Sequence, residues 1–198
     1  MKAPVKLRFT PFRGRMAALV ATVALGTATA TACGSDPFAI NWAVSPDTVL
    51  LYSLARPQLN LVSGFDFYNR TAVRVEDANA TGNWDIAVDT REGKIVLLPP
   101  GALGVDSRAR VASLPGANFD EVVEAPADTT LYTATSPVPV ELGTVYVMRT
   151  RQGYGSFGRV CVYYAKLEPL EIDPVGGTLR FVFDSSPVCN DRKLIPPN

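Results

Sequence analysis

At 198 residues, the chain has room for one domain of ordinary size, able to bury its own core. A hydrophobic fraction of 47% against 19% charged residues describes a folded chain and excludes a disordered one. Histidine is absent, which removes Ser-His-Asp and Cys-His nucleophilic catalysis together.

The charges are unevenly placed. Residues 1–32 hold 5 of the 19 basic residues (Lys2, Lys6, Arg8, Arg13 and Arg15) and no acid, which leaves 14 basic against 19 acidic residues and a net charge of −5 in the remainder. A mildly acidic domain without basic runs gives no electrostatic reason to expect a nucleic-acid partner. After the basic start comes the apolar run MAALVATVALG (16–26) and then TATATAC. A basic, an apolar and a small-residue region in that order predict a secretory signal, too short to span a bilayer as an anchor. Ala30-Thr31-Ala32-Cys33 resembles a bacterial lipobox, with Ala30 where that pattern usually has leucine. The resemblance implies lipidation of Cys33 and attachment to a bacterial membrane outside the cytoplasm. The alternative is ordinary cleavage after Ala30-Thr31-Ala32, leaving Cys33 a free thiol. The chain is thus divided into a signal peptide (1–32), a tether (33–46) and a single domain (47–198).

Beyond the tether the sequence reads as β. The segments 47–54, 71–76, 84–90, 94–98, 107–114, 144–150, 159–167 and 178–184 are rich in β-branched and aromatic residues, and several alternate apolar with polar. The breaks between them carry turn chemistry: DTREGK, LPPG, LPG and DPVGG. The predicted class is all-β, with antiparallel sheets joined by hairpins and at most one short helix. The best helix candidate is NFDEVVEAP (118–126), with Asn118 as cap and Pro126 as terminator.

Two motifs invite chemistry and are better explained without it. GYGSFGRV (153–160) fits the glycine-rich G-x-G-x-x-G-x-V loop that protein kinases fold over ATP. A catalytic H-R-D is impossible without histidine, no D-F-G occurs, and β-type sequence follows where a dinucleotide loop needs a helix. The glycines are expected to serve a hairpin loop at positive φ. DANATGNWD (77–85) echoes a calcium loop, yet Val88 stands where the bidentate glutamate belongs. A polar turn between strands is the better reading. Zinc lacks ligands, so no metal site is predicted. Asp120, Glu121 and Glu124 are expected to form a solvated face.

With Cys33 set aside, Cys161 and Cys189 form an even pair, and an exported chain favours a disulfide between them over two buried thiols. Tyr146, Tyr154, Phe157, Tyr163 and Tyr164 concentrate aromatic surface. Interleaved Val145, Val147 and Val160 favour core packing; the alternative is the wall of a ligand site, for which Tyr146, Met148, Tyr163 and Tyr164 are the candidates.

The order of segments resembles the HmuY-like family of exported, lipid-anchored β proteins. NWDIAVDTREGKIVL is similar to its W-D-I-A-F strand, and NFDEVVEAPADTTLY to its F-D-x-V segment with a following proline. GTVYVMRTRQG resembles its V-Y-V-V-R-T strand, and YYAKLEPLEID with GGTLRFVFD its closing hairpin. Together these cover about residues 65–185. The resemblance implies an all-β fold and, from the family's founding activity, haem held by axial His or Met. Only Met148 is available after signal removal, so a two-ligand His or Met site is excluded within one chain; no cofactor is expected, with haem held through Tyr or Lys, or without axial ligation, as the alternative the resemblance leaves. Trp84 and Asp85 are read as an aromatic core anchor beside a turn acceptor. The expected function is a non-catalytic binding module for a flat hydrophobic ligand or an envelope protein. The alternative is a structural or interaction lipoprotein with no small-molecule site. An apolar, aromatic-walled pocket would favour the first, and a filled interior the second.

Overall fold

The computed structural model describes residue 40 and residues 42–196. The expected signal peptide, Cys33 and the first part of the expected tether lie outside the described residues. Thirteen strands follow in chain order: β1 (Asp47–Tyr52), β2 (Gly64–Asp66), β3 (Thr71–Val73), β4 (Ile86–Arg91), β5 (Lys94–Leu98), β6 (Arg110–Pro115), β7 (Tyr132–Thr133), β8 (Val138–Pro139), β9 (Thr144–Arg149), β10 (Gly153–Tyr154), β11 (Val160–Cys161), β12 (Tyr164–Asp173) and β13 (Thr178–Ser185). They build a six-stranded sheet, β1-β13-β12-β9-β6-β7, a five-stranded sheet, β3-β2-β4-β5-β8, and a separate two-stranded ribbon, β10-β11. The ladders are antiparallel throughout.

Alternation decides what each face does. On β9, Tyr146 and Met148 point inward, while Val145, Val147 and Arg149 point outward, the two-residue period of a pleated strand. The inner faces of the two large sheets meet in one core. Val111, Tyr146, Met148, Leu167 and Phe181 come from the first sheet; Phe65, Ile86, Val88, Ile95 and Leu97 come from the second. Phe65 is the aromatic centre, edge-on to Phe67 at 4.9 Å and to Phe183 at 4.7 Å between centroids. Such pairs add roughly 0.5–1.5 kcal/mol each beyond area burial. The outer face of the second sheet is covered too, by a cluster around Trp84, Ala87, Val96 and Leu98. Burial on both faces is why KIVLL (94–98) reads as a continuous apolar run.

The turns behave as their residues dictate. Glu92 (φ 51) and Gly93 (φ 73) both take left-handed conformations, as a two-residue hairpin turn between β4 and β5 demands. β12 and β13 pair as expected, except that β12 runs on to Asp173 and shortens the connection to the DPVGG turn. The strand expected over 159–167 is broken. Val162 N–H turns to the Asn190 side chain (2.9 Å) and Tyr163 N–H to Thr150 Oγ1 (2.9 Å), so side chains take over from the ladder.

The helix expected over 118–126 is not formed. Asn118 accepts from Glu121 and Val122, closing a single turn, after which Glu124 bridges to Lys193. Lys166 explains the arrest. Its ammonium donates to the carbonyls of Phe119 (2.6 Å) and Val122 (3.0 Å) and sits 4.4 Å over the Phe119 ring. Within a helix the Phe119 carbonyl would accept from the Val123 N–H, whereas Pro126 has no N–H to offer Val122; here both carbonyls bind a buried cation instead. Burial holds the Lys166 ammonium below its ordinary pKa, an effect that Asp120 and Asp184 partly offset. The 117–125 segment thereby becomes a strap across the outer face of the first sheet.

Candidate functional site: an arginine-lined cleft

The strap and the C-terminal Leu194 cover the apolar part of that outer face, over Val145 and Val147. One row further along the strands the cover ends. There Arg110 on β6 and Arg149 on β9 are direct cross-strand partners, and Arg149 also faces Tyr164 on β12. Like charges directly opposite on an antiparallel pair repel. Around this row opens a cleft of about 480 Å³, lined by Arg108, Arg110, Arg149, Arg192, Tyr132, Tyr164 and Gln152, with Pro126, Ala127 and Thr129 at its rim. Among the described residues no carboxylate lines it.

Neighbouring groups orient two of the four guanidiniums. Arg149 Nη1 donates to the Arg108 carbonyl at 2.9 Å, and Arg192 Nη2 pairs with Glu124 Oε1 at 2.6 Å. Among the described residues no carboxylate pairs with Arg108 or Arg110. Tyr132 donates from its hydroxyl to the Pro126 carbonyl at 3.2 Å. Burial, and then the neighbouring Tyr164, push its phenol well above the ordinary value, with Arg192 and Arg149 pulling the other way. Tyr132 is therefore a neutral donor and an aromatic wall. Planar guanidiniums beside phenol rings suit carboxylate, phosphate or sulfate on a flat or ringed body.

A second charged group lies beside the cleft. Arg151 follows β9 and reaches into the other sheet, holding Asp66 Oδ2 at 2.7 Å and Asp85 Oδ1 at 3.3 Å. Asp85 is wholly buried; it also accepts from the Phe67 N–H (2.9 Å) and the Arg151 N–H (2.8 Å). Burial pushes the Asp85 carboxyl up to about 6 despite Arg151. Burial acts the same way on Asp66, but the Arg151 guanidinium and the Asn69 donors outweigh it and hold Asp66 below its ordinary value. Asp85 is not the turn acceptor expected: its carboxylate accepts from Phe67 and Arg151, 18 and 66 residues away, and forms a clasp between sheets. Its oxygens face inward, away from Asp77, which closes its own turn by accepting from Asn79.

The four aromatic and thioether candidates do not converge. Tyr146 and Met148 are interior, and the Tyr146 hydroxyl donates to the Pro139 carbonyl (2.8 Å) and accepts from the Glu141 N–H (2.9 Å). Tyr163 is buried against Tyr68 in a stack with centroids 4.4 Å apart. Tyr164 alone reaches the cleft. These residues do not fit a two-ligand iron site, since the one thioether is enclosed and no second ligand opposes it. Cys161 and Cys189 are joined as a disulfide with Cα atoms 5.1 Å apart. The arginine cluster is not legible in the sequence because it is assembled across three distant segments. The available signal was the alternation Arg108-Ala109-Arg110, which puts two cations on one face, but only strand register brings Arg149 opposite.

The fold and the cleft together define a two-sheet antiparallel β protein with a cationic, tyrosine-walled surface site. Comparison with protein-family models and with curated proteins finds no match.

Proposed function

We propose that the protein is an exported, lipid-anchored, HmuY-like lipoprotein of the bacterial envelope that acts as a non-catalytic binding module, taking an anionic ligand in the arginine cleft. The observation that carries this reading is the Arg110–Arg149 cross-strand pair inside a cleft without a lining carboxylate. Opposed guanidiniums raise the energy of the empty site, so an anion gains from relieving that repulsion as well as from its own contacts. The lining moves the expected ligand from purely apolar to negatively charged, with the tyrosines retaining a preference for a flat or ringed body. The anchor rests on the signal-like start and the lipobox resemblance at Cys33.

Purification from the native host tests the cleft. The wild-type protein should retain an anionic compound, identified by mass spectrometry after gel filtration, that Arg110→Ala/Arg149→Ala lacks. The same compound on both proteins, or none on the wild type, would sink the reading. Labelled fatty acid should enter the wild type and not Cys33→Ser; a soluble, unmodified chain beginning at Cys33 would overturn the anchor alone. An interaction role with no small molecule draws on a different observation, the filled inner core around Tyr146 and Met148.

A further inference from the structure

The β10-β11 ribbon belongs to neither sheet, pairing only Gly153 with Cys161 and Tyr154 with Val160. Its base is fixed on several sides. The Cys161–Cys189 disulfide ties it to the C-terminal segment, and the Asn190 amide donates to the Val160 carbonyl at 3.0 Å. Gly155 is needed here, because a Cβ on it would lie 2.5 Å from Cys161 Sγ. From this rigid base the ribbon holds apolar side chains out: Tyr154 is 83% exposed, Val160 48% and Phe157 fully, at 108%. Phe157 also occupies the left-handed region (φ 60, ψ 27), which L side chains rarely adopt. The Gly155 N–H donates to the Arg159 carbonyl at 2.8 Å and closes the turn, but the Phe157 ring itself stands in solvent.

The surroundings narrow the choice of partner. From Gln152 to Leu167 the sequence holds no acid, and Arg159 is the exposed cation beside the tip. A ribbon two strands wide with three apolar side chains is too narrow to bury the ~800 Å² per partner of a stable protein interface. Aromatic side chains with a neighbouring arginine and no acid on the ribbon itself match the headgroup region of an anionic bilayer instead, where rings sit at the boundary and guanidiniums reach phosphate. A membrane would be within reach. If Cys33 is the anchor, residues 33–44 extend at most about 40 Å, and Ser45 is held to the domain through its N–H to Asp184 at 3.2 Å.

We propose that the 153–161 ribbon is a shallow membrane contact, placing Phe157 and Tyr154 in the headgroup–acyl boundary with Arg159 at the phosphates. The proposal is independent of the cleft; it draws on the anchor reading only for the supply of a nearby bilayer. Val175 supplies an internal control, being fully exposed in the β12-β13 turn, at the far end of β12 from the ribbon. The test is quenching by brominated acyl chains in phosphatidylglycerol–phosphatidylcholine vesicles carrying the mature protein, with Phe157→Trp and Val175→Trp read above the wild-type background. The expected result is a blue-shifted, quenched signal at position 157 and none at 175. Equal quenching at both, quenching at 175 alone, or no quenching at 157 would overturn the proposal. If Cys33 proves unlipidated, the soluble chain mixed with the same vesicles gives the same readout. There Tyr154→Ser/Phe157→Ser should lower vesicle partitioning about tenfold, and unchanged partitioning would also overturn it.

Discussion

Tyr146 and Tyr164 stand on opposite faces of the six-stranded sheet, and the difference between them divides the molecule. Tyr146 looks inward, where Met148, Phe65 and Phe181 enclose it and backbone groups satisfy its hydroxyl. Tyr164 looks outward, onto a face that begins under the strap and ends among arginines. Strand alternation creates both faces from alternate residues of β6, β9 and β12. What differs is the cover: a second sheet closes the inner face completely, whereas the strap and the C-terminal segment cover the outer face only as far as Val147. The enclosed apolar core therefore lies on one face and the exposed arginines and tyrosines on the other.

Truncating the inner face should have the largest effect. Phe183→Ala removes a ring packed edge-on against Phe65 and is expected to cost about 3–5 kcal/mol, measured by urea unfolding. A cost under 1 kcal/mol would mean that the inner face is not the stabilising one. Opening the disulfide acts on the outer cover instead. A cross-link between residues 28 apart in sequence contributes about 3–4 kcal/mol through the unfolded state. Cys161→Ser/Cys189→Ser should lose that amount and loosen Arg192 while the inner core keeps its hydrogen-exchange protection. Uniform loss of protection would erase the distinction.

Asp85 joins the two sheets and gives a smaller, pH-dependent effect. Its folded-state pKa of about 6 lies above the unfolded value of 3.8. The folded state therefore binds the extra proton between those values. The stability this group contributes is present below about pH 4 and lost as pH rises through 6. Acidification from pH 7 to pH 5 should stabilise the protein by about 1 kcal/mol, and Asp85→Asn should abolish that gain. Below this window Asp66, whose folded value is depressed, reverses the trend as it protonates.

The inner face was far more legible in the sequence than the outer one. Alternation and turn residues located β1, β5, β9 and β13, because apolar period and glycine-bearing breaks are local signals. The short strands β2, β7, β8 and β10 are two or three residues long and carry no period to detect. The missing helix at 118–126 is a tertiary effect: Lys166, distant in sequence, claims the carbonyls of Phe119 and Val122. Tyr163 and Tyr164 are adjacent in sequence but part company, one stacked on Tyr68 and the other in the cleft, so proximity misled about a shared wall. The arginine cleft depends on the Arg110–Arg149 register, which no single segment encodes.

The smallest change in stability is expected on the outer face. Arg110→Ala removes one of two like-charged cross-strand partners and should be neutral or stabilising by a few tenths of a kcal/mol. A loss above 1 kcal/mol in thermal unfolding would show that the guanidinium is structural.

The central claim, that the outer-face arginines hold an anion, is tested most directly by thermal shift at constant ionic strength with inorganic phosphate, sulfate and citrate. Three proteins would be compared: wild type, Arg110→Ala/Arg149→Ala, and the inner-face control Met148→Leu. At least one anion should raise the melting temperature of the wild type and of Met148→Leu, and leave the double-arginine variant unmoved. Equal shifts in all three proteins, or no shift of the wild type with any of these anions, would contradict the account.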